Sequence, residues 1–111
     1  MRTTNKSRSL RYLGRLSGRG VISHDGKALA EADFDFDGYF HAATGVTACG
    51  EIEAPPEVLE GLFGRPDLQI LTEEGLLLNI SFSDAKLAPA SDVAHVDVTG
   101  PLPTAAADWR H

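Results

Sequence analysis

The chain has 111 residues, 42% of them hydrophobic and 23% charged, with a formal net charge of −6. That is one domain of ordinary size, able to bury about 65% of its extended-chain surface, and the balance excludes collagen-like, low-complexity and wholly disordered classes. A single cysteine, Cys49, excludes an intrachain disulfide framework and fits a reducing compartment.

The charge is split along the chain. Residues 1–19 hold Arg2, Lys6, Arg8, Arg11, Arg15 and Arg19 with no acid, whereas the remainder sets four bases against all 16 acids. An acidic body repels phosphate at long range, while the basic arm attracts acidic partners, anionic surfaces or RNA. The ordinary reading of such a run is a solvated or self-contacting arm. Its candidate partner-binding residues are Arg8, Arg11, Tyr12 and Arg15, since Tyr12 is the one aromatic ring set among arginines. Leu10, Leu13 and Leu16 are too interrupted for a secretory h-region. Arginine-rich, acid-free composition is shared with transit peptides, yet the segment runs directly into strand-like sequence, and a cytoplasmic location is expected. No apolar run approaches the roughly 18 residues of a membrane span.

From Gly14 to Ser23 the sequence is glycine-rich and poor in helix formers, which predicts a bent or bulged strand. Asp25-Gly26 then marks a hairpin. Ala28, Ala30, Ala32, Phe34 and Phe36 alternate with Glu31, Asp33 and Asp35, a half-buried strand of period 2. Gly38–Gly45 loses the alternation and reads as a loop, and Val46–Glu53 as a third strand ended by Pro55-Pro56. Glu57–Phe63 places Val58, Leu59, Leu62 and Phe63 at helical spacing, with Gly64 and Pro66 as stop signals. Leu68–Thr72 and Leu76–Phe82 flank Glu73-Glu74-Gly75 as a second hairpin, and Ala94–Thr99 forms a last strand. The predicted core is Phe34, Phe36, Ile52, Leu62, Ile70, Leu78, Ile80 and Val96.

These elements predict a mostly β fold: a small antiparallel β-barrel or strongly curved sheet of about six strands, with one short helix between strands three and four. The order of connections resembles that of an OB-fold, in order alone, and no motif assigns the chain to a family. The expected organisation is a basic flexible arm over 1–10, one barrel-like domain over 11–101 and a flexible tail over 102–111.

Motifs that carry chemistry are few. Asp33-Phe34-Asp35-Phe36-Asp37-Gly38 matches the first six positions of a calcium loop, but position twelve falls on Thr44, which cannot supply the closing bidentate carboxylate. Inward phenylalanines alternating with outward aspartates account for the same letters. His24, His41, His95 and His111 form no pair at zinc-ligand spacing, and no G-x-S-x-G elbow or phosphate loop is present. A half-buried structural cysteine is the ordinary reading of Cys49. The favoured reading is a non-enzymatic module acting through protein–protein contact, a homodimer being one form of it, with no cofactor or metal. One alternative is a small-ligand-binding barrel or minor enzyme with the 39–45 loop at its mouth and Tyr39, His41 and His95 as ligand residues. The other is weak nucleic-acid binding through the basic arm.

Overall fold

Two fifteen-residue strands, β1 (Leu10–His24) and β2 (Lys27–His41), form a long antiparallel hairpin across Asp25 and Gly26. Both turn residues adopt positive φ, 52° and 79°, as a two-residue turn matched to the strand twist requires. The computed structural model describes residues 10–100, 102, 103, 108 and 109. After the hairpin come β3 (Gly45–Glu53), α1 (Pro56–Leu62), β4 (Leu68–Thr72), β5 (Leu77–Phe82) and β6 (Val93–Thr99). The strands close into an antiparallel barrel in the order β1-β2-β3-β6-β5-β4, with the helix between the third and fourth strands. The fold class is the expected one.

Period-2 patterning places the core. Ala32, Phe34 and Phe36 of β2 are buried, and Glu31, Asp33 and Asp35 between them are exposed. All eight predicted core residues are buried. Leu13, Ile22, Leu59, Leu68 and Val98 join them, so side chains from every element meet in one cluster. Proline at the first helical position and Glu57 in the first turn start α1, which turns Leu59 and Leu62 inward.

Three boundaries differ from expectation by more than one residue. β1 begins at Leu10, four residues before the predicted start, because Leu10–Tyr12 continue the ladder with Tyr39–His41. A bulge between Tyr12 and Gly14 breaks the side-chain alternation there and hides the strand from a parity count. Tyr39–His41 are likewise strand, paired with Gly45–Thr47, and only Ala42–Thr44 turn. Arg11 and Arg15 therefore lie on β1 in the barrel wall. Leu102 and Trp109 fall within the expected tail yet are buried in the core. Residues 1–9, including Arg8, and 101, 104–107, 110 and 111 lie outside the described residues. Among the described residues, no helix is long and apolar enough to cross a membrane.

Candidate functional site

The open end of the β1–β2 hairpin collects exposed rings. Tyr12 and Tyr39 are cross-strand partners whose ring centroids stand 5.4 Å apart at 57°. Tyr12 Oη donates to Asp37 Oδ1 at 2.8 Å, and this bond is the main cause that raises the phenol above its ordinary pKa of 10.0. On the opposite parity, the Arg11 guanidinium stands 5.9 Å from the centroid of Phe40. Leu10, Tyr12 and Phe40 are all exposed. Tyrosine, phenylalanine and arginine are residue types enriched at protein interfaces relative to the remaining surface.

Beside this end runs an acidic wall. Antiparallel register sets Asp35, Glu51 and His95 in one row and Asp37, Cys49 and Asp97 in the next. Arg15 Nε lies 3.2 Å from Asp35 Oδ1, while Arg19 bonds Glu31 Oε1 through Nε at 3.1 Å and Asp33 Oδ1 through Nη1 at 3.0 Å. Those two bonds raise the Arg19 pKa further above its usual value. The carboxylates of the calcium-like string thus project from one strand face, two of them bound to arginine, with no loop to gather them. Among the described residues, no group of three or more histidine, cysteine or acidic side chains is placed to hold a metal ion.

His95 sits between two carboxylates, with Nε2 3.2 Å from Glu51 Oε2 and Nδ1 3.2 Å from Asp84 Oδ2. An imidazolium can donate to both and a neutral ring to one. Asp84 starts the segment leading to β6, so His95 ties that segment to the barrel wall. It also lines a groove of about 200 Å³ whose apolar side is formed by Phe63, Phe82, Leu87 and Val93. Phe63 and Phe82 meet with centroids 4.9 Å apart.

The residues singled out in the sequence fall into separate places. Arg11, Tyr12 and Arg15 lie together on β1, and Tyr39 joins Tyr12 at the hairpin end. His41 pairs with Leu10 and Gly45 at the last rung. His95 is in the row of Asp35, four rungs along β2 from Tyr39, so the three predicted ligand residues share no groove. Cys49 is exposed on the outer wall rather than half-buried. The groove at Phe63 and Phe82 was not read from the sequence, because it is assembled from separate segments, the end of the helix, the end of β5 and residues 84–95, whose meeting periodicity does not report. Comparison with family models, curated proteins and solved structures gives no match, so the chemistry rests on this chain's own residues.

Proposed function

We propose that the protein is a non-enzymatic interaction module that acts through protein–protein contact, a second copy of the chain being among the partners this includes. The observation that carries the reading is the contrast between interior and surface. Phe36, Leu13, Ile22, Ile52, Ile70 and Leu78 fill the barrel, whereas Leu10, Tyr12 and Phe40 stand exposed at one end. Packed side chains occupy the interior of the described barrel, and exposed rings beside arginine suit a macromolecular surface. A photo-crosslinking residue placed at Tyr12, compared with one at the exposed Thr99, tests it in the native cell. Crosslinks to another polypeptide from position 12 and not from 99 are expected. Stabilisation of the fold by a small metabolite, with no polypeptide crosslink, overturns the reading.

The groove lined by Phe63, Phe82 and His95 favours a second reading, small-ligand binding, at a place other than the 39–45 turn. A metabolite screen by NMR reads it directly, through resonance shifts confined to those three side chains.

A further inference from the structure

β1 is paired with β2 along its length, but on its other side β4 reaches only Gly20–His24. Among the described residues, no strand occupies the second edge of Leu10–Arg19. Alternate N–H and C=O groups of an antiparallel strand point away from its neighbour, so this edge offers a row of backbone donors and acceptors about 33 Å long. The side chains that share the outer face of the edge are Leu10, Tyr12, Arg15, Ser17 and Arg19, each opposite an odd-numbered residue of β2.

We propose that the Leu10–Arg19 edge of β1 docks an extended acidic segment of a partner protein as an added strand. The proposal rests on the interaction-module reading and names the chemistry of the partner. Arg15 is held to Asp35 through Nε, and Arg19 to β2 through Nε and Nη1. A guanidinium carries five N–H donors, so both retain donors for a carboxylate on a strand added at the other side. Leu10 and Tyr12 are 44% and 47% exposed, which provides apolar surface to cover at the same end. The fitting segment therefore carries apolar side chains opposite Leu10 and Tyr12 and acids opposite Arg15 and Arg19. Backbone pairing supplies the affinity and these side chains the selectivity.

Other occupants fit less well. Residues 104–107 span at most about 14 Å when fully extended. Their flanks are also drawn together, since Trp109 Nε1 donates to the Pro103 carbonyl at 3.0 Å. Residues 1–9 would bring Arg2, Lys6 and Arg8 against Arg11, Arg15 and Arg19. A second copy paired edge to edge would oppose two arginine rows and two bulges, and like charges directly across a ladder destabilise it.

The test is NMR titration of the full chain with three synthetic ten-residue peptides: alternating Glu-Val, alternating Lys-Val, and Glu-Val with every second amide N-methylated. The Glu-Val peptide is expected to shift amides within 10–19 and slow their hydrogen exchange. The lysine and N-methylated peptides are expected to bind at least about tenfold more weakly. Arg15→Glu combined with Arg19→Glu should reverse the charge preference, while Arg15→Lys with Arg19→Lys should retain it. Thermal melting of both variants establishes that they fold. Edge amides already protected in the free monomer, or a free chain that sediments as a dimer with those amides protected, overturn the proposal. So does a short single-stranded RNA that shifts the same amides more strongly than the acidic peptide. Shifts confined to another part of the wall overturn the edge assignment alone, leaving the interaction-module reading in place.

Discussion

Trp109 lies flat against the inward side of Gly38, so close that a Cβ at Gly38 would overlap Cη2 and Cζ3 of the indole. Gly38 belongs to β2 and pairs with Gly14 of β1 and Ala48 of β3. Three small residues in one row leave the space at the hairpin end of the barrel that the indole fills. The ring is 3% exposed and its one polar atom is satisfied by Pro103. Gly38→Ala should displace the indole and cost about 1–3 kcal/mol as an overpacked site. Trp109 is the only tryptophan, so its fluorescence reports the displacement without interference. A native emission maximum and unchanged stability in Gly38→Ala would show that the ring is not seated there.

Two rings anchor β2 in the core. Phe34 and Phe36 sit two residues apart on the inward face, their centroids 5.1 Å from each other. Phe36 is fully buried and Phe34 nearly so. Truncating either to alanine removes a buried ring and leaves a cavity, at a cost of about 3–5 kcal/mol. Urea denaturation measures this, and an unchanged midpoint in either variant contradicts the assigned strand face.

Those two positions also show where reading the sequence succeeds. Acids alternating with Ala32, Phe34 and Phe36 can be satisfied by one arrangement, a strand with a wet face and a dry one. The second hairpin and the helix were legible for similar reasons, through Glu74-Gly75 and through Pro56 followed by Leu59 and Leu62. β1 was harder. Its bulge at 12–14 shifts parity in mid-strand, so Leu10 and Tyr12 fall out of step with Leu16. Trp109 gave no period at all, because docking of an isolated ring depends on the space left by Gly14, Gly38 and Ala48 in three other segments. The edge of β1 that no strand occupies among the described residues was beyond sequence reasoning, since it arises from the mismatch between a fifteen-residue strand and the five residues of β4. The separation of His95 from Tyr39 likewise depends on the register of β2, β3 and β6.

Calcium should leave the fold nearly unchanged. Asp33, Asp35 and Asp37 project from alternate positions of an extended strand, and Arg15 and Arg19 already engage two of them. An oxygen cage of six or more ligands needs a loop that curls round the ion, and Asp33–Asp37 are instead strand residues paired on both sides with β1 and β3. Thermal melting with and without millimolar calcium should give the same midpoint. A rise of several degrees, abolished in Asp35→Ala, would mean that the carboxylates converge on an ion.

Alkaline pH should weaken the hairpin end in a way that depends on Tyr12. Its Oη can donate to Asp37 only while protonated, and that bond raises the phenol pKa in the folded chain above the ordinary 10.0. A raised folded pKa means that the folded state holds the proton more tightly than the unfolded state does. The contribution is therefore complete below the unfolded value and is lost as pH rises through the folded one. Once ionised, the phenolate would face the Asp37 carboxylate, so the contact turns from attractive to repulsive. Tyr12→Phe removes both the bond and the repulsion. The measurement is the denaturant midpoint of both chains from about pH 8 to about pH 11. The native chain should be the more stable at the lower end, by a margin that is constant until the phenol begins to titrate and then shrinks. A margin independent of pH across that range would show that Tyr12 acts through ring packing on Tyr39 and not through Asp37.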